Sequence, residues 1–214
     1  MLQRVSFNVG DAEVEGILHL PDGDALGGVA VLHGLSGGPE EPHIRSVCDA
    51  LSARGVGALR FHFRATEGGT TALDSALADT AGALRLLRAH PALPQRTGVV
   101  GFGFGGAVAA VAAGRDSRLK VAVLGAAPAL VAGSRRPLAE ITRTRARVLL
   151  LRGSRDRQLP SVDAARYSGV LSQARVTHRV VTIEGGDHLF SPAGPRARMA
   201  TEAAEWARES LSPT

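Results

Sequence analysis

Cysteine is nearly missing from this sequence. Cys48 stands alone, so no disulfide can form within the chain, which fits a reducing, cytoplasmic setting. Lysine is as scarce: Lys120 is the only one, and the net charge of +5 and pI near 10.8 rest almost wholly on arginine. Those arginines run from Arg4 to Arg208, with one local cluster at Arg135, Arg136, Arg143 and Arg145. Aromatic residues make up only 4% and do not alternate with the arginines. That argues against a nucleic-acid surface and for solvated surface charge. Long hydrophobic runs are absent too; the longest reach about ten residues, too short to cross a bilayer. The N-terminus, MLQRVSFNVGDAEVEG, has no basic segment followed by an apolar run, so no signal peptide is expected. No H-x-x-x-H or H-E-x-x-H pattern occurs, so neither a metal nor another cofactor is expected. The partner that remains is a small-molecule substrate; oligomeric state is left open.

What is present suits one globular domain over residues 1–214, at 44% hydrophobic and 21% charged. Residues 3–9 and 13–20 alternate in polarity and are joined by GDAE, an antiparallel hairpin pattern. Short Val/Leu/Ala runs bounded by glycine then recur at 27–34, 55–63, 96–103, 119–128, 145–153 and 178–186. Such runs are what a parallel sheet covered on both faces requires. Between them lie helical patterns. Ile44, Val47, Cys48 and Leu51 share one stripe, which also marks Cys48 as a buried small residue rather than a reactive thiol. Leu73, Leu77, Leu84 and Leu87 form a second stripe; residues 104–114 are apolar all round; 161–174 is a weaker pattern. Pro195 opens a last helix carrying Met199, Ala203 and Trp206. Alternating strands and helices predict a three-layer α/β fold with a mostly parallel sheet. The segment 129–140 leaves little room for a lid domain.

The stretch VVGFGFGGAVAAVAAG, residues 99–114, carries the chemistry. An apolar strand ends in a knot of glycines and an apolar helix follows. Gly101, Gly103 and Gly106 match the dinucleotide loop G-x-G-x-x-G. That fold places its loop on the first strand–helix unit and an acidic residue at the end of the next strand. Here the glycines come near mid-chain, and VAVLGAAPAL ends without an acid, Asp116 preceding it. The alternative is a nucleophile elbow, G-x-nucleophile-x-G, framed by Gly101 and Gly105 with Gly103 at its centre. An elbow predicts an acid and then a histidine further along. Asp156 follows the strand 145–153, and His188 follows the strand 178–186. Upstream, VAVLHG runs into LSGG, a turn able to aim a backbone N–H at an oxyanion.

These motifs resemble the α/β-hydrolase superfamily, and within it the small, lidless dienelactone-hydrolase-like branch, over nearly the whole chain. VVGFGFGGAVA is similar to that branch's elbow, whose third position is Cys or Ser. ALRFHFRATEGG is similar to a strand-and-turn segment of small serine hydrolases, which usually have Asn in place of His62 and a more Gly-rich turn after Arg64. The resemblance implies the acid role for Asp156, the base role for His188, oxyanion N–H groups at Leu35 and Phe104, and the nucleophile's place at Gly103. Gly103 has no side chain, so acyl-enzyme chemistry does not carry over.

Three readings follow: non-covalent hydrolysis, or lyase, isomerase or cyclase chemistry, on an ester, lactone or related carbonyl; a silent carbonyl-binding protein; or a hydrolase inactivated by substitution at position 103. Ser36 is the foremost substitute hydroxyl, ahead of Thr66, Thr70 and Thr71, although loop hydroxyls generally cap turns. His62 or Arg64 is placed to bind a substrate carboxylate, and His33 to shape the oxyanion loop. His43 is expected to be structural, Glu40 and Glu41 to be solvated, and Asp187, as the neighbour of His188, to orient it poorly.

Overall fold

The hairpin forms where the alternation places it. β1 (Leu2–Val9) and β2 (Ala12–His19) pair antiparallel, and Gly10 adopts φ 60° in the tight turn between them. In the computed structural model, which describes residues 1–64, 69–132, 134–159 and 161–213 (without the side chains of 69–71), this hairpin leads into an eight-stranded sheet. β3 (Gly27–Leu32), β4 (Val56–Phe61), β5 (Thr97–Phe102), β6 (Leu119–Gly125), β7 (Arg147–Gly153) and β8 (His178–Ile183) follow in chain order. The spatial order is β1-β2-β4-β3-β5-β6-β7-β8, parallel from β4 through β8, with β2 joining β4 antiparallel.

Helices cover both faces, which is why β3 to β7 read as continuous apolar runs. Val29 and Val31 point to one core, shared with Ile44, Val47, Cys48 and Leu51 of α1 (Pro42–Ser52) and Met199, Ala203 and Trp206 of α6 (Ala193–Leu211). Ala30 and Leu32 point the other way, against α2 (Gly69–Ala89), α3 (Phe104–Arg115) and α5 (Ser161–Gln173). From Phe104 to Ala113, α3 is buried throughout, as its lack of polar residues requires. Burying each such Val or Leu side chain contributes about 1.5–3 kcal/mol. Among the described residues, no helix is long and apolar enough to cross a membrane.

The structure departs from the sequence pattern in three places. A short helix, α4 (Arg136–Ile141), begins within the segment 129–140, where no helix was expected. β8 is an edge strand rather than a covered one: it pairs only with β7, and Val180 is 43% exposed. Arg60 lies inside β4 at 4% exposure, its Nε donating to His19 Nε2 at 2.9 Å. The charge is balanced by Glu40, which pairs with Arg60 and so is not merely solvated.

Candidate active site

The topology opens a crevice between β3 and β5. From β3 the chain passes to β4 on one side, then crosses to β5 on the other, and ligands of open α/β sheets sit at the carboxyl end of such a reversal. The elbow and the HGLSGG turn meet there.

Gly103 follows β5 directly and caps α3, with φ 54° and ψ −123°. These are close to the first central residue of a type II′ turn, about +60° and −120°. Its N–H donates to Gly125 O at 2.9 Å, tying the turn to the end of β6. The neighbouring glycines are there for close packing. A Cβ on Gly101 would run into the Gly105 backbone, one on Gly105 into Leu32 O, and one on Gly106 would lie 2.7 Å from Ala127 Cβ. Gly103 differs. Among the described residues, apart from its own chain neighbours, a Cβ there would meet only His188 Nε2 at 3.5 Å and Gly34 Cα at 3.9 Å. Space for a side chain exists, and it faces the histidine.

His188 Nδ1 lies 2.9 Å from Asp156 Oδ2. The other carboxylate oxygen, Oδ1, accepts the N–H groups of Gln158 (2.9 Å) and Leu159 (3.0 Å), which fix the carboxylate. The Asp156 side chain is 5% exposed and that of His188 18%. With the ionised carboxylate on Nδ1, that nitrogen carries the proton, and Nε2 presents a lone pair toward Gly103. Asp187 is engaged elsewhere, accepting Ser191 N–H at 2.7 Å.

Two backbone donors lie on the residues next to Gly103 and Gly34 in the chain. Among the described residues, neither Phe104 N–H, at the start of α3, nor Leu35 N–H, next to Gly34, has a hydrogen-bond partner. The N-terminus of α3 adds the positive end of its dipole. His33 braces the turn. Phe63 N–H donates to its Nε2 (3.1 Å), so Nδ1 bears the proton and donates to Gly34 O at 2.6 Å. Burial lowers the pKa of His33 despite that bond to Gly34, which keeps it in this two-way neutral form.

The remaining candidates separate from this centre. Arg64 donates through Nε to Asp79 Oδ1 (2.6 Å) and through a terminal nitrogen to Val9 O (3.1 Å), so its guanidinium belongs to the N-terminal hairpin and α2. That corrects its assignment to a substrate carboxylate. Among the described residues His62 shares no hydrogen bond with a site residue; its Nδ1 is 2.8 Å from Phe63 O, and it borders a groove along β1, β2 and β4. Ser36 is exposed, and no hydrogen bond joins it to His188. Thr66 and the side chains of Thr70 and Thr71 lie outside the described residues. Glu41 accepts Gly38 N–H at 3.2 Å and so shapes the loop leading into α1.

Some residues around the site carried no sequence signal beyond their neighbours in the chain. Arg155, Arg157, Gln158 and Leu189 line a hollow of about 360 Å³ around His188. His43 is packed edge-on against Phe102 at 5.1 Å, and among the described residues its Nε2 has no partner.

The model of the Dienelactone hydrolase family matches residues 14–212. The chain belongs to the dienelactone hydrolase family. Solved structures agree on the fold. A dienelactone hydrolase from Anabaena variabilis is similar at 24% identity and TM-score 0.84, covering 99% of this chain and 98% of that one. Est1E from Butyrivibrio proteoclasticus is similar at 17% identity and TM-score 0.81, covering 97% and 98%. An esterase domain from a Rhodothermus marinus protein is similar at 19% identity and TM-score 0.80, covering 99% and 100%. Comparison with curated proteins gave no match. In this dienelactone hydrolase family member, His188 is hydrogen-bonded to Asp156 and its Nε2 faces the Gly103 position, which has no side chain.

Proposed function

We propose that this dienelactone hydrolase family member acts on esters or lactones without a covalent intermediate. The observation that carries the reading is the 3.5 Å separation between His188 Nε2 and the place a Cβ would take on Gly103. A water molecule hydrogen-bonded to Nε2 then lies beside the glycine, on the side from which a side-chain nucleophile would attack. His188 removes a proton as the water oxygen bonds to the carbonyl carbon. The developing oxyanion accepts from the N–H groups of Phe104 and Leu35. Collapse of the tetrahedral intermediate expels the alcohol, which takes the proton back from His188. Asp156 holds the imidazole in the required tautomer and stabilises its charged form. Glycine suits this arrangement better than alanine, because a β-methyl so close to Nε2 would occupy the water's approach.

The test is turnover of p-nitrophenyl acetate and a simple lactone by the protein and by His188→Ala. General-base assistance contributes roughly 10²–10⁴-fold, and a loss of at least about 10²-fold is expected in the variant. Rapid-quench mass spectrometry should find no acetylated protein and no burst of nitrophenol. An acetyl adduct that accumulates at the start of turnover would falsify the non-covalent route. Absence of any turnover, with the fold retained, would favour a silent binding protein.

A further inference from the structure

We infer that β8 is the interface of a homodimer, in which two copies of the chain pair their β8 strands antiparallel and continue the sheet across a twofold axis. β8 is the last strand of the sheet and pairs only with β7, in an unbroken register from Val148↔His178 to Gly153↔Ile183. Val148 N–H donates to Thr177 O (3.0 Å) and Ser154 N–H to Ile183 O (3.0 Å), so the odd-numbered residues bond to β7. The N–H and C=O groups of His178, Val180 and Thr182 therefore face outward. Edge strands are generally blocked by lysine, proline, a bulge or an inward-pointing charge. β8 has no lysine, no proline and no bulge. Its arginine, Arg179, is drawn onto the face of α6 by Glu202 at 2.9 Å. Val180 stands in the middle of the open edge at 43% exposure.

This edge is complementary to itself. With Val180 against Val180 of the second copy, His178 lies opposite Thr182, and every outward group of the strand is paired. Arg179 then lies opposite Val181. Centring the pair on Arg179 instead would set like charges opposite each other, which destabilises a sheet. The charges beyond the strand ends agree with the Val180 register. Arg175 lies five residues before Val180 and Glu184 four residues after it, and both are exposed. Among the described residues neither forms an ion pair within the chain. The twofold axis brings each Arg175 beside Glu184 of the other copy. A six-residue strand alone is too short to bury the roughly 1,200–2,000 Å² of a stable interface. Flanking helices supply the rest. α5 touches one face of β8 through Ser168 and His178 (3.0 Å) and α6 the other through Glu202, and the pairing sets both helices alongside those of the second copy.

The experiment is the mass in solution, by light scattering after size exclusion over a dilution series, for the native chain, Val180→Lys and Val180→Cys. The native chain is expected to be a dimer that dissociates on dilution. Val180→Lys sets two ammonium groups across the axis and should raise the dissociation constant at least about tenfold, with the circular dichroism of the fold retained. Val180→Cys sets two thiols opposite each other at a Cα separation of about 5.5 Å, within disulfide range. Cys48 is fully buried, so oxidation should give a covalent dimer through position 180 alone. If the lysine variant does not fold, the cysteine cross-link decides. A native chain that is monomeric at every concentration overturns the inference. So does a dimer that Val180→Lys leaves as tight as before, or one that gives no cross-link in Val180→Cys.

Discussion

Gly103 is the residue at which sequence and geometry bear most directly on each other. Its φ of 54° disfavours any residue with a Cβ, at a cost of about 1–2 kcal/mol. Its surroundings would nonetheless accept one. Gly103→Ser and Gly103→Cys are therefore expected to lower stability by about 1–2 kcal/mol, seen as a lower denaturation midpoint. They are also expected to raise ester hydrolysis and to give a burst and an acyl adduct, which the proposal does not expect of the native chain. A Ser variant that folds but gives neither would show that Asp156, His188 and the two N–H donors do not work together. Gly103→Ala should carry the same strain, and hydrolysis should fall at least tenfold because the methyl excludes water. Equal activity in Gly103→Ala would remove the reason for placing water beside the glycine. In the sequence the elbow spacing marked Gly103 as the central position but did not say which of these glycines are closely packed. Spacing alone cannot separate Gly101 and Gly105, which are forced by backbone approach, from Gly103, which is not; that difference lies in contacts with Leu32 and His188, residues far away in the chain.

At the scale of elements, the strands themselves, though not their order in the sheet, were legible because strands covered on both faces must be apolar on both faces, as Val29 to Leu32 are. Asp156 and His188 were legible for a related reason: residues just past the carboxyl ends of adjacent parallel strands, here β7 and β8, fall into one crevice. What the local pattern could not give was the direction of side chains at strand ends. Arg64 reads as a site arginine beside His62, yet it is held by Asp79 on α2, whose carboxylate is fully buried. Removing the arginine leaves that carboxylate with the Arg64 backbone N–H at 3.0 Å as its partner. Arg64→Ala is expected to cost about 3 kcal/mol, typical of an orphaned buried charge. Chemical denaturation measures that loss, while KM for neutral and carboxylate-bearing esters at a temperature well below unfolding should stay within about twofold. A large rise in KM confined to the carboxylate ester would return Arg64 to the substrate. Asp156→Asn tests the opposite case. The amide forces the wrong imidazole tautomer on His188, so kcat should fall by about 10²–10⁴-fold with little change in stability, and an unchanged kcat would take Asp156 out of the mechanism.

Over the whole molecule, histidine governs how stability responds to pH. His19, His33 and His43 are buried, and all three have pKa values below the ordinary range. Burial is the leading cause in each; Arg60 adds to it at His19, and the neighbouring His188 and Arg196 add to it at His43, which is pushed down to about 4. In the unfolded chain each returns to about 6.5. Between the folded and unfolded values the unfolded state binds more protons, so the folded state gains stability as pH rises. That contribution is complete above about pH 6.5 and is lost as pH falls toward 4. For His43, at 2% exposure, the span amounts to roughly 3 kcal/mol. Carboxylates with lowered values, such as Asp116 at about 2, act at lower pH and leave this window to the histidines. Thermal unfolding followed from pH 7.5 to 4.5 should show a steady fall in midpoint. His43→Leu should flatten that fall, since the leucine cannot titrate. It should also raise stability at pH 7.5 by about 1 kcal/mol, because it removes a buried ring nitrogen with no partner among the described residues. A slope as steep in His43→Leu as in the native chain would mean that this histidine is already protonated in the fold, and the wall of the site beside Phe102 would then carry a charge.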